Sequence, residues 1–304
     1  MVSFVNLIGT HSIDEIPEMG FSIEFPNNRP DTPQTLATKF QVMDRRQFIK
    51  NSALATGGLA TSGSIPTFAS TFINQPNSNM KNREVRFKPK EKNGLGGVAL
   101  GNGFNENPNG ECLEAVEAAW ESGVRLFDTS PWYGLGISER RLGLALKDKP
   151  RQEFTLASKI GRMLEPHEDF EVGMWKGKMN FEYRYDYTAE GTRRSVEDSL
   201  QRLGVSSLDI VFIHDLSPDN GDMKQDWVKY FDIAAKGAMP ELTKMREEGL
   251  IKAWGFGVNT IEPILKAIEV ADPDIFLSAC QYNLIKHEEL FNQVFPVAAK
   301  RDIS

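Results

Sequence analysis

From about Glu84 onward, short apolar blocks alternate with longer blocks that have helical spacing of apolar residues. The strand-like blocks are 97–101, 124–129, 154–159, 208–214, 251–258 and 275–281, and the helix-like blocks are 111–122, 138–147, 188–202, 227–248, 261–270 and 287–300. Such alternation predicts a parallel sheet, because each helix returns the chain to the same edge before the next strand begins. The nearly continuous apolar run 208–214 is typical of a strand that is buried on both faces.

Periodicity alone does not choose between the two common parallel architectures, a doubly wound sheet and a closed barrel. The block Gly97–Gly101 lacks the GxGxxG pattern of a dinucleotide-binding Rossmann domain, which disfavours the first architecture. In a barrel, the carboxyl ends of all strands meet at one face, where the active site lies.

Polar side chains stand at the ends of successive predicted strands. They are Asp128, Lys159, His214, Asn259 and Gln281. Taken singly, each has a structural explanation, such as capping a turn or lying in the core with its hydrogen bonds satisfied. Burying unpaired charge is costly, so ionisable residues at one strand end after another favour a shared functional site.

Four segments resemble the aldo/keto reductase family. Phe127–Gly143 reads FDTSPWYGLGISERRLG and is similar to the family signature, in which an Asp that ends a strand is followed five residues later by Tyr-Gly. The other matching segments are Leu156–Lys159, Leu208–Asp215 and Gln281–Asn283. The resemblance runs from about residue 84 to residue 304 and is greatest to the sugar and pyridoxal dehydrogenase branch. It implies an α/β fold, a (β/α)8 TIM barrel, of which about six of the eight βα units are present.

The resemblance also implies a role for each site residue. Tyr133 would exchange a proton with the substrate oxygen. Its phenol has an ordinary pKa of about 10, so a nearby Lys159 cation, oriented by Asp128, is expected to favour the phenolate. His214 would position the substrate oxygen.

By the same resemblance, Asn259 and Gln281 would hold the nicotinamide carboxamide of NADP or NAD. Asn259 stands where many members have Ser, and Thr260 where they have Asn, so the division of roles between these two positions stays open.

The function expected from these residues is hydride transfer between NAD(P) and a small-molecule carbonyl or sugar substrate. The alternative is a non-catalytic or inactive barrel-type binding module, because the sequence stops about where a seventh strand would start and we expect a C-terminal truncation. Residues 163–187 form a long aromatic segment, which is interpreted either as a wall of the substrate pocket or as a self-packed surface loop.

The first 83 residues have a different composition. No structure is predicted for 1–42, which we expect to be an incorrectly assigned extension ahead of a start at Met43. Residues 43–72 resemble a twin-arginine export signal, with Arg45-Arg46, Phe48 and Lys50 before a mildly apolar stretch. Residues 73–83 are a linker. We therefore expect the twin-arginine export machinery as a partner and a periplasmic or otherwise exported location.

Composition excludes several other classes. The net charge of −7 argues against a large basic surface for nucleic acid. No apolar run reaches the roughly 20 residues of a membrane-spanning helix, so no stable membrane anchor is expected. The two cysteines, Cys112 and Cys280, have neither disulfide-framework nor metal-ligand spacing, and no metal site is expected.

Overall fold

The secondary structure follows the predicted alternation. The computed structural model describes residues 86–304 together with the strand Ser3–Val5. The strands are β1 (Ser3–Val5), β2 (Asn93–Gly96), β3 (Leu126–Asp128), β4 (Thr155–Ile160), β5 (Arg162–Pro166), β6 (Phe181–Tyr185), β7 (Ile210–His214), β8 (Ala253–Val258) and β9 (Leu277–Ser278). The α-helices are α1 (Asn109–Glu121), α2 (Ile137–Leu146), α3 (Ala189–Leu203), α4 (Trp227–Lys236), α5 (Ala238–Glu247), α6 (Glu262–Val270) and α7 (Phe295–Lys300).

The main sheet has the strand order β1-β2-β3-β4-β7-β8-β9, and every neighbouring pair is parallel. From β2 onward this order is the chain order, apart from the separate hairpin of β5 and β6, as expected when each strand is joined to the next by a helix. The sheet curls as an incomplete (β/α)8 barrel, which confirms the predicted fold class.

The two faces of each strand are buried against different layers. Leu156, Val211 and Ile213 belong to the large core between sheet and helices. The alternate residues Ala157, Ile210 and Phe212 belong to a smaller cluster on the opposite face of the sheet. Since side chains alternate along a strand, this second face also carries Lys159, two residues after Ala157, and His214, two residues after Phe212.

The first strand lies upstream of the predicted block 97–101. The strand is β2, Asn93–Gly96, and Ala99–Gly101 form a short 3-10 helix. Gly97 makes the last hydrogen bond of the ladder, by donating to the Asp128 carbonyl at 2.8 Å. The backbone then leaves the sheet, and the Gly101 N–H donates back to the Gly97 carbonyl at 3.1 Å. A short Gly-rich apolar block resembles a strand by composition, but its hydrogen bonds here are those of a turn.

The long segment 163–187 is partly regular, because β5 and β6 pair as an antiparallel hairpin with Arg162 opposite Tyr185. Helix α3 follows directly and is capped at its N-terminus by Thr188, whose hydroxyl accepts the Gly191 N–H at 3.0 Å. It ends at Gly204, which has a left-handed φ of 69° that glycine adopts readily.

The end of the described chain departs from the predicted elements. Strand β9 covers only Leu277–Ser278 of the predicted 275–281, which leaves Gln281 beyond the strand. The predicted helix 287–300 is a π-helical turn, Leu290–Val294, that continues into α7.

The expected export signal 43–72 and the linker 73–83 lie outside the described residues. So does the segment 1–42, apart from β1, which forms a three-residue parallel ladder with β2 where no structure is predicted. Among residues 86–304, none of the helices combines the length and the apolar character needed to span a bilayer.

Candidate active site

A buried ion pair lies at the centre of the candidate site. The ammonium of Lys159 is 2.6 Å from Asp128 Oδ2 and donates a second hydrogen bond to the Thr129 carbonyl at 2.8 Å. Both side chains are almost completely buried, with exposed fractions of 1% for Lys159 and 5% for Asp128. Burial lowers the pKa of Lys159, but Asp128 and Tyr133 together more than offset this effect, so the net pKa is raised and the lysine stays charged.

Tyr133 is placed beside this pair by a tight turn after β3. Gly134, Leu135 and Gly136 all have left-handed backbone angles, with φ of 67°, 54° and 98°. A Cβ at Gly134 would run into the Gly101 carbonyl, so this position requires glycine. The turn brings the Tyr133 ring to 4.6 Å from Lys159 Nζ.

His214 completes the group of four predicted catalytic residues. Its ring lies edge-on to Tyr133, with the centroids 5.7 Å apart. Its Nδ1 is 3.1 Å from Ser130 Oγ, and the same Oγ accepts the backbone N–H of Trp132. Burial, followed by the nearby Lys159 and Arg162 charges, holds the pKa of His214 well below its usual value, so the imidazole is neutral. Asp128, Tyr133, Lys159 and His214 are thus brought together at one face of the sheet, as predicted.

The pKa of the Tyr133 phenol is set by two opposing effects. Burial raises the pKa of Tyr133 to about 12, and the Lys159 cation opposes this rise without overcoming it. Lys159 thus lowers the pKa of Tyr133, as expected, but burial outweighs this effect, so Tyr133 is a protonated donor in the protein alone.

Arg162 and Asp215 adjoin the predicted residues and were not identified from the sequence. Arg162 Nη1 donates to Asp215 Oδ2 at 2.9 Å, and this Oδ2 is 3.5 Å from His214 Nε2. Their positions in the chain carry a weak signal, since Arg162 follows Lys159 by three residues and Asp215 directly follows His214. Arg162 and Asp215 meet because β4 and β7 are adjacent parallel strands, with Ile160 opposite Ile213, and each residue lies two positions beyond that pair.

The aromatic segment 163–187 forms one wall of this site. Trp175 is buried, and its ring lies 5.8 Å from that of Tyr133 and 5.4 Å from that of Trp132. Gly103 pairs with Trp175 in an isolated antiparallel bridge, which fixes the segment over the turn that carries Tyr133. The segment thus packs against the turn that carries Tyr133 and also on itself, through contacts such as that of Tyr183 with Tyr185.

The predicted cofactor residues lie at the ends of β8 and β9. The side-chain amide of Gln281 donates to the Asn259 carbonyl, and Asn259 Nδ2 donates to Asp219 Oδ2 at 3.1 Å. Nearby, the buried hydroxyl oxygens of Thr260 and Ser278 have no hydrogen-bond partner among the described residues. Buried hydroxyls normally find partners, so these two strand ends suit a ligand with amide donors and acceptors, such as a nicotinamide carboxamide.

The family model described as the aldo/keto reductase family matches residues 93–304 of the chain. The chain belongs to the aldo/keto reductase family. Members of this family use NAD(P)H.

Characterised relatives have similar sequences. A D-threo-aldose 1-dehydrogenase from Pseudomonas is 34% identical over 68% of this chain and 61% of its own length. A pyridoxal 4-dehydrogenase from Microbacterium luteolum is 32% identical over 69% and 64%. This aldo/keto reductase chain therefore spans less than two thirds of the length of these relatives.

The solved structure of a glycerol dehydrogenase from Gluconobacter oxydans superimposes with a TM-score of 0.50. It is 29% identical over 69% of this chain and 57% of that chain.

Proposed function

We propose that the protein is an NAD(P)-dependent oxidoreductase that transfers a hydride between the nicotinamide and a small carbonyl or alcohol substrate. The observation that carries this proposal is the contact of Tyr133 with both Lys159 and His214. Two groups that can bind one substrate oxygen thus lie next to each other, beside the positive charge of Lys159.

Each residue has a distinct task. Protonated Tyr133 donates its proton to the substrate oxygen in the direction of carbonyl reduction. Neutral His214 holds the same oxygen through a ring nitrogen and fixes its position relative to the phenol. Lys159 stabilises negative charge that develops on the Tyr133 oxygen as the proton leaves, and Asp128 keeps the lysine charged and oriented.

The nicotinamide supplies or accepts the hydride. Asn259 and Gln281 would hold its carboxamide, with the unpaired hydroxyls of Thr260 and Ser278 beside them. The substrate proposed is a sugar or another small hydroxylated carbonyl compound, by analogy with the relatives named for aldose and pyridoxal.

Tyr133→Phe in the full-length protein tests the assignment. Phe keeps the shape of the ring and removes only the hydroxyl, so turnover should fall by about 10²–10⁴-fold, as is typical when general acid–base catalysis is lost. Binding of NAD(P)H, measured by quenching of protein fluorescence, should stay within a few-fold of wild type. Full activity in Tyr133→Phe would exclude the proposed mechanism.

We also propose that the protein is exported by the twin-arginine route, on the basis of Arg45-Arg46 and the residues that follow. Changing both arginines to lysine should leave the protein in the cytoplasm. Fractionation of cells that lack other export routes measures this. Normal delivery of the double variant would contradict the proposal.

A further inference from the structure

The carboxylate of Asp215 stands next to the imidazole nitrogen of His214 that faces away from Ser130. Asp215 Oδ2 lies 3.5 Å from His214 Nε2, while Nδ1 is occupied by Ser130. Nε2 is therefore the nitrogen left for the substrate oxygen. Any group bound there has a carboxylate oxygen as its immediate neighbour.

The position of this carboxylate is fixed by a buried arginine. Arg162 has an exposed fraction of 6%, and its guanidinium lies 4.6 Å from the Trp132 ring centroid and 5.2 Å from that of Tyr185. The hydrogen bond to Asp215 is its one hydrogen bond among the described residues, and its buried Nε has no partner there. A desolvated arginine whose single hydrogen-bond partner is Asp215 keeps that carboxylate in place through a charge-assisted hydrogen bond.

The backbone of Asp215 is also held in an uncommon conformation. Its φ is 47°, in the left-handed region that few residues other than glycine, Asn and Asp adopt. Three hydrogen bonds maintain it. Asp215 N–H donates to the Gly257 carbonyl at 2.9 Å, and the Asp215 carbonyl accepts from Ser217 N–H and from Asn220 Nδ2. Local strain of this kind persists where the surrounding structure enforces it, and it concentrates at functional sites.

The carboxylate remains open on one side. The exposed fraction of the Asp215 side chain is 26%, and Arg162 is the one residue that donates a side-chain hydrogen bond to it among those described. A carboxylate accepts several hydrogen bonds, so Asp215 retains the capacity to accept one from a ligand hydroxyl.

These observations identify a substrate class. We infer that Asp215, positioned by Arg162, accepts a hydrogen bond from a hydroxyl on the carbon next to the reacting carbon, so that the site selects α-hydroxy carbonyl compounds and the corresponding vicinal diols. Oxygens on adjacent carbons lie about one hydrogen-bond length apart, about 2.8 Å. His214 Nε2 and Asp215 Oδ2 are 3.5 Å apart. A ligand can therefore bind Nε2 with one oxygen and Oδ2 with the oxygen on the adjacent carbon. This inference rests on the proposed oxidoreductase function.

A matched pair of substrates tests it in the full-length protein. Lactaldehyde and propanal differ only by the hydroxyl next to the carbonyl. With NADPH or NADH, wild type should reduce lactaldehyde with a kcat/KM at least about tenfold above that for propanal, because a hydrogen bond to a charged group discriminates to this extent.

Asp215→Ala should lower the ratio of kcat/KM for lactaldehyde to that for propanal, because only lactaldehyde carries the hydroxyl that Asp215 binds. Asp215→Asn, which tolerates the left-handed backbone, should give a smaller loss because the amide keeps an acceptor without the charge. Arg162→Lys should lie between wild type and Asp215→Ala. Asp222→Asn is the control, because Asp222 accepts from Tyr183 and Tyr185 on the hairpin and does not adjoin His214.

Because propanal serves as an internal reference, partial loss of folded protein cancels in the ratio. An unchanged ratio in Asp215→Ala, or an equal loss for both substrates, would overturn the inference. Failure of wild type to reduce either aldehyde with either cofactor would instead count against the proposed oxidoreductase function, and the inference would fall with it.

Discussion

Replacing Lys159 by Met should destabilise the protein strongly, because it leaves the Asp128 carboxylate buried without its counter-ion. The substitution removes the 2.6 Å ion pair and the 2.8 Å hydrogen bond to the Thr129 carbonyl, whereas Met retains most of the side-chain volume. Asp128 Oδ1 already has no partner among the described residues, so no second contact compensates. Loss of one member of a buried pair typically costs about 3–5 kcal/mol.

The loss should also depend on pH, with a defined sign. Burial raises the pKa of Asp128, and Lys159 opposes that rise, so Lys159→Met raises this pKa further. A carboxyl group with a raised folded-state pKa adds stability that is fully present below its unfolded pKa of about 3.9 and is lost as the pH rises through the folded value. The destabilisation caused by Lys159→Met should therefore be largest near neutral pH and shrink as the solution is acidified.

Urea unfolding followed by tryptophan fluorescence at several pH values measures both effects. Lys244→Met is the matched control, since Lys244 is 61% exposed and lies 3.8 Å from Glu248 one helical turn away. Such surface pairs contribute only about 0.3–0.5 kcal/mol. In the double variant Lys159→Met with Asp128→Asn, the total loss should be smaller than the sum of the single losses. A loss below about 1 kcal/mol, or one that is the same at every pH, would refute the buried-pair argument.

Two further predictions concern the neighbours of this pair. Ser130→Ala should disturb the tautomer of His214, because the wild-type Nδ1 is bound to the Ser130 hydroxyl while Nε2 faces Asp215, an arrangement that favours the proton on Nε2. Long-range ¹H–¹⁵N correlation spectra of the imidazole report the tautomer directly, and identical spectra for the two proteins would contradict this. Tyr133, with a pKa raised to about 12 by burial, should contribute no phenolate absorbance at pH of about 10, where a free tyrosine is half ionised. The difference in ultraviolet titration between wild type and Tyr133→Phe measures it, and a midpoint at or below the free value would show that Lys159 outweighs burial.

The sequence was sufficient for the elements that are long or strongly patterned. The apolar run 208–214 contains β7, and the helical spacing of 188–202 marks α3 to within one residue, with Thr188 as its cap. It also predicted that Asp128, Lys159 and His214 lie together, since polar side chains at the ends of parallel strands meet at one edge whatever the details of packing. It failed at Gly97–Gly101, where the local composition suits a strand but the Gly101 N–H bonds back to the Gly97 and Val98 carbonyls in a turn.

Other features were decided by the tertiary structure alone. The sequence places Arg162 near Lys159, but the pairing of Arg162 with Asp215 requires β4 and β7 to be neighbours in the sheet with Ile160 opposite Ile213. The pKa of Tyr133 likewise depends on how completely the neighbouring atoms exclude water, which no residue pattern specifies. Sequence patterns fix local geometry and the order of elements, whereas desolvation and contacts between distant segments arise only when the chain is packed.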